Sequence, residues 1–357
     1  MHRCVRSSAI TIGIALMFLS SAAVAQYQQI RLDSNQVGSA LNTDPLGVND
    51  WGLVHGPGSP WWIADAGSGW SSLYNGTGAI QALKVLVPTA GENGPGSPTG
   101  IVFNGSQDFQ ISETGGSPAP AVFLFAALDG SITGWSPKVN LNSALLAPLK
   151  NAPAGASYTG LAITSKSSGN VLFAADMANG QVDVYDTNFN FTGSFTDPAL
   201  PAGFVPFGIR DIGGIVYVAY AAADENVAGG FIELFNEDGT PVHPGKPLIH
   251  GLPLNQPWGI AIAPSQFGPF SNAILISNNT DHGTINAFNP VNGGFLGTLR
   301  HGRRGEKIVI DQLWGIDFGD GKGNNGAANE LFYTAGPSGN LAGEFGKIVF
   351  VGKDNRD

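Results

Sequence analysis

Residues 256–262 read Gln256-Pro257-Trp258-Gly259-Ile260-Ala261-Ile262, and residues 283–288 read Gly283-Thr284-Ile285-Asn286-Ala287-Phe288. The first stretch sets a bulky ring, a glycine and an apolar run in series. The second alternates apolar and polar residues, a period of two that belongs to a strand and not to a helix. Between them, Ala273 to Asn278 forms another short apolar stretch. Working outward, the same order recurs along the chain. The six copies of the marker are Trp51-Gly52-Leu53, Thr99-Gly100-Ile101, Thr159-Gly160-Leu161, Phe207-Gly208-Ile209, Trp258-Gly259-Ile260 and Trp314-Gly315-Ile316, with glycines 48, 60, 48, 51 and 56 residues apart. Turn pairs such as Asn179-Gly180, Asp129-Gly130 and Asp238-Gly239 supply the positive φ that tight reversals need.

Three or four short strands per unit of 40–60 residues, with almost no helical periodicity, predict an all-β chain folded as a six-bladed β-propeller. Blades start near residues 50, 98, 158, 206, 257 and 313, within a single domain spanning 26–357. The sixth unit offers only three strands: Gly315 to Phe318, Leu331 to Thr334 and Lys347 to Val351. The alternating segment Tyr27-Gln28-Gln29-Ile30-Arg31-Leu32 is free to supply the fourth, so that an N-terminal strand completes the last blade and the ring has no open edge.

Composition agrees with such a fold and excludes others. Of 357 residues, 51 are Gly and 23 are Pro, while only 12% are charged, about half the usual fraction for soluble proteins. The acidic balance, 17 Lys and Arg against 27 Asp and Glu, offers no footprint for nucleic acid. Residues 1–25 read as a cleaved signal peptide: Arg3 and Arg6, an apolar run from Ala9 to Leu19, then Ala23-Val24-Ala25. That run is shorter than the roughly 20 residues that cross a bilayer, and no later segment is long enough, so no transmembrane segment is expected. Cys4, the only cysteine, leaves with the leader. The expected product is a disulfide-free monomer, secreted or periplasmic.

The segments Asn255 to Ala263, Gly294 to Leu299, Leu313-Trp314-Gly315-Ile316 and Tyr333-Thr334-Ala335-Gly336-Pro337 carry a resemblance to NHL-type six-bladed propellers. Over nearly its full length the mature chain is similar to a family of exported bacterial proteins of unknown function. The resemblance implies the fold and export, and no activity.

In a propeller the first strand of each blade lines the central channel. Antiparallel pairing puts its start beside the end of the second strand. Two rings are therefore expected at one mouth: Trp51, Thr99, Thr159, Phe207, Trp258 and Trp314, and with them Asp65, Leu128, Asp176, Tyr220, Asn278 and Ala335. Trp51, Phe207, Trp258, Trp314 and Tyr220 would offer aromatic faces to a small molecule, a glycan or an envelope protein; alternatively, the rings wedge between blades as core. Asp65, Asp176 and Asn278, a third of a turn apart, would supply oxygen ligands for Ca²⁺; alternatively, each bonds its own turn. Asp320-Gly321-Lys322-Gly323-Asn324-Asn325-Gly326 lacks the ligand pattern of a calcium loop and reads as a turn. No H-E-x-x-H, G-x-S-x-G or phosphate-loop motif occurs. The leading expectation is an exported binding module. The alternatives are a calcium-dependent hydrolase or lactonase with its metal in the channel, and a structural disc whose loops Pro88 to Pro98 and Ala222 to Gly230 make the contacts. Arg300-His301-Gly302-Arg303-Arg304 is the one basic cluster, suited to an anionic partner or to solvent.

Overall fold

The computed structural model describes residues 26–91, 94–165, 169–301 and 305–352. Residues 1–25, expected to be a leader, and part of the basic cluster, Arg303 and Arg304, lie outside them. Six sheets, antiparallel except for the short strand Asn42–Thr43 that pairs parallel at the edge of the sixth, form the blades of a six-bladed β-propeller. The third blade shows the plan: Tyr158–Thr164, Val171–Asp176, Gln181–Tyr185 and Phe191–Phe195 pair in simple succession. The closing strand runs Gln26–Ser34 and pairs antiparallel with Glu344–Gly352, so both ends of the chain share the sixth blade. The expected closure at 27–32 therefore holds, with the strand longer at both ends. No helix among the described residues is long and apolar enough to cross a membrane.

Blade 3 also shows why charge is scarce. Along Val171–Asp176, Leu172 and Ala174 pack with Leu124, Ala126 and Ile132 of blade 2, whereas Phe173 and Ala175 pack with Val216, Val218 and Phe235 of blade 4. Alternation on a strand with two covered faces sends successive side chains into two different cores. The remaining interfaces repeat this, so the core is a ring of six clusters between neighbouring blades. Buried polar residues are few, and those inside the sheets, such as Asp183 and Glu233, are exceptions within an apolar core.

The marker glycines sit where adjacent inner strands almost touch. A Cβ on Gly208 would stand 2.0 Å from the carbonyl oxygen of Trp258 in the next blade, and one on Gly52 would stand 2.5 Å from that of Thr99. Around the ring each marker glycine abuts the inner strand of the following blade, including Gly315 of blade 6 against Trp51 of blade 1. The spacing of glycines along the chain is thus the spacing of blades about the axis.

Candidate functional site: the central channel

Each inner strand is bulged at its marker. In blade 3, Tyr158 pairs with Asp176 and Gly160 with Ala175, leaving Thr159 unopposed, and register shifts fall at the same place in the other five blades. Such a bulge turns the extra side chain out of the pleat. Here it turns the marker toward the axis, where Trp51, Phe207, Trp258 and Trp314 meet in one buried cluster with Ala66 and Ala221. Trp51 and Trp314 stack with centroids 3.6 Å apart and planes 18° apart. Trp258 meets both edge-on at 6.3 and 6.0 Å, and Phe207 leans on Trp314 at 5.6 Å. All four residues are less than a tenth exposed. The expected open aromatic rim is thus corrected: with four large rings at one level and only threonines opposite, the rings fill the axis and close that end.

Polar groups fix the plug. Trp258 Nε1 donates to the Thr159 carbonyl at 3.0 Å, and Trp314 Nε1 donates to Asn49 Oδ1 at 3.1 Å. Ser277 Oγ accepts from Gly259 N and donates to the Trp314 carbonyl of the next blade. Thr334 does the same between Gly315 N and the Trp51 carbonyl. Each hydroxyl satisfies a backbone N–H freed by the bulge and binds two blades together.

The bulge also shifts the pairing of the second ring by one residue. Asp65, Asp176, Tyr220, Asn278 and Ala335 pair with the residues before the markers and not with the markers themselves, and in blade 2 the corresponding residue is Ala127, not the expected Leu128. Tyr220 lies in the core between blades 3 and 4, away from the plug. The three oxygen-bearing residues do not converge. Asp65 accepts from Ser72 N at 2.9 Å, where the third strand of blade 1 breaks into Trp70–Ser71 and Leu73–Tyr74. Asp176 accepts from Ser157 N, Asn179 N and Asn179 Nδ2, and Asn278 bridges Asn255 N and the Pro253 carbonyl. Each serves its own blade, and among the described residues no three His, Cys, Asp or Glu are grouped to hold a metal ion. The 320–326 loop is a turn held by Asp320, which accepts from Gly58 N and Lys322 N.

Beyond the plug, the channel continues as a cavity of about 220 Å³. Its wall is the aliphatic residue after each marker glycine: Leu53, Ile101, Leu161, Ile209, Ile260 and Ile316. Trp258 lines it from the closed end. The far end is charged. Arg210 of blade 4 donates to the Ile260 carbonyl of blade 5 at 3.0 Å, to the Ile316 carbonyl of blade 6 at 3.4 Å, and to Asp317 Oδ1 at 2.8 Å. This one guanidinium spans three blades. Asp211 lines the same end, its carboxyl raised by burial against a hydrogen bond from Gly214 N. Arg210 and Asp317 went unremarked in the sequence, although a signal was there. Three residues past each marker stand Val54, Val102, Ala162, Arg210, Ala261 and Asp317, two opposite charges in an otherwise apolar column.

A second polar group lies at the ring closure. Asp33, Asp44, Asp50 and Asp65 are all buried, with Lys84 Nζ 3.1 Å from Asp44. Burial drives the Asp33 carboxyl up to about 7 and raises Asp50 and Asp65, which face each other across two strands. In blade 4 both carboxylate oxygens of Glu233 are buried without a hydrogen-bond partner, and burial, with the nearby Asp197 charge, raises it to about 7.

No family model matches the chain. The uncharacterized protein R648 of Acanthamoeba polyphaga mimivirus is 31% identical over 352 residues, an alignment covering 91% of this chain and 81% of the viral protein. The chain belongs to its family. The uncharacterized protein L690 of the same virus is 29% identical over 82% of this chain and 79% of its own length. Among solved structures, a streptogramin B lyase superposes with TM-score 0.52 at 12% identity, covering 91% of this chain and 97% of the lyase. A glucose dehydrogenase superposes with TM-score 0.52 at 13% identity, covering 90% and 98%. At such identities these structures share the propeller fold with the family and nothing narrower.

Proposed function

We propose that the protein is an exported binding module, secreted or periplasmic and monomeric, that takes a small, largely apolar ligand into its central channel. One observation carries the reading: a cavity of about 220 Å³ walled by one aliphatic side chain from every blade, closed by tryptophans and edged by charge at the other end. Concave apolar sites with a few oriented polar groups are where small ligands bind. The aromatic plug supplies the floor, and Arg210 with Asp317 and Asp211 supplies the polar groups at the entrance. Export rests on the leader sequence and on the resemblance to exported bacterial propellers.

Titration of a panel of small apolar compounds and mono- and disaccharides, followed by tryptophan emission, tests this. A member that enters the channel shifts the emission of Trp258, and its binding is lost when Ile209→Trp fills the cavity. A panel without response, or a response that Ile209→Trp leaves unchanged, overturns the assignment to the channel.

A further inference from the structure

On the outer rim, where blade 5 meets the closing strand, lies a second concavity of about 430 Å³, unconnected with the channel reading. Its floor is aromatic. Phe270 lies parallel to Tyr27, with centroids 6.0 Å apart and planes 3° apart. Gly297, at φ 153°, lets Phe270 approach the edge strand Phe295–Thr298 where a Cβ would stand 2.8 Å from the ring. Phe295 and Leu296 are about half exposed on that strand. Large apolar groups held open to water beside a formed groove mark a binding surface more often than chance exposure does.

The edge of the groove is positively charged, in a chain whose acidic residues outnumber basic ones 27 to 17. The hairpin Arg300–His301 and Glu306–Lys307 pairs Arg300 directly with Lys307, and His301 with Glu306. Directly opposed residues share a face of the ladder, so both cations stand on the face that lines the groove and the acid stands on the other. Like charges at opposed positions destabilise a hairpin when nothing lies between them. Among the described residues Lys307 has no ion pair. The Arg300 guanidinium is held by the Gly305 carbonyl at 2.6 Å, which leaves most of its donors free.

We infer that this groove binds a small hydrophobic carboxylate, its aromatic or alkyl body against Phe270, Phe295 and Leu296 and its carboxylate between Arg300 and Lys307. The anion would relieve the repulsion of the opposed cations and accept charge-assisted hydrogen bonds from both, while the apolar body would cover the exposed rings.

The probes are 1-pyrenebutanoate and its neutral counterpart 1-pyrenebutanol, titrated by fluorescence into the full chain at low salt. The carboxylate is expected to bind at one site per chain and about tenfold more tightly than the alcohol. Lys307→Gln and Arg300→Gln should each remove most of that preference without weakening the alcohol. Phe295→Ser should weaken both probes. These positions are solvent-exposed, and a thermal midpoint that does not fall confirms folding of each variant. Equal affinity of the two probes, no binding of either, or a carboxylate affinity that survives the double Arg300→Gln/Lys307→Gln variant overturns the inference.

Discussion

The two ends of the channel are built from the same repeated strand and solve opposite problems. At one end the bulged markers of four blades put large rings on the axis, and the rings satisfy one another: stacked, edge-on, nearly free of water. At the other end, three residues further along the same strands, the axis is too wide for the aliphatic side chains to meet. The span is made instead by one long arginine anchored on two carbonyls and a carboxylate. The closed end is therefore an additional piece of hydrophobic core, whereas the charged end is held by directional bonds beside water. The first should resist ligands and tolerate no loss of volume; the second should yield to substitution at moderate cost.

The largest effect is expected at the contact on which the closed end depends. Gly208→Val places side-chain atoms against the Trp258 carbonyl, where even a Cβ would stand 2.0 Å away, and a shift of that size must separate blades 4 and 5. The loss should exceed about 4 kcal/mol, the range of severe core disruption, and should be seen as failure to fold or a collapse of the urea midpoint. Next, Trp314→Ala removes a ring that touches three others and should cost about 3–5 kcal/mol in chemical denaturation. A cost below about 1 kcal/mol would mean that the plug is not core, and the contrast between the ends would fail.

Arg210→Met tests the other end. It removes bonds to the channel backbone and leaves Asp317 without its ion pair. With the guanidinium about a third exposed, the cost should be only about 1–2 kcal/mol. The double variant Arg210→Met/Asp317→Leu should recover part of the loss, because the orphaned carboxylate is gone. A loss as large as that of Trp314→Ala would make the arginine strap, and not the plug, the principal closure of the ring.

The last test concerns pH and sharpens the comparison by adding carboxyls that belong to neither end. Asp33 and Glu233 both titrate near 7 in the folded protein, above their values in the unfolded chain. The native state therefore binds more protons between about pH 4 and 7, and stability falls as pH rises through that window before levelling off. Denaturant midpoints should be higher at pH 5 than at pH 8. Glu233→Gln should reduce the slope, since the amide replaces a carboxyl that has no hydrogen-bond partner. A midpoint that rises with pH would contradict these assignments.

Much of the molecule was legible beforehand. The six Trp/Thr/Phe-Gly-apolar markers located every inner strand, and the alternating segment at 27–32 located the closing strand, because period and turn chemistry are local properties. The site was legible only in part. The aromatic residues do gather at one level, but whether they rim a mouth or fill it depends on the width of the ring there. The ring of Asp65, Asp176 and Asn278 failed for a definite reason: a bulge shifts the register by one residue, and a shift of one residue sends a side chain from one face to the other. Tyr220 left the expected site by the same shift. The carboxyl group at the closure, Asp33 with Asp44, Asp50 and Asp65, could not be read at all, since Asp33 comes from the closing strand and reaches its neighbours only once the ring has formed.

The number of blades, the strand that closes them and the glycines that let them approach follow from the order of amino acids alone, because each is a matter of backbone sterics and of burial on two faces. That the channel has one closed end and one charged end emerges only when the six blades are assembled. The distance between side chains facing an axis is set by all six blades together, and no single repeat contains it.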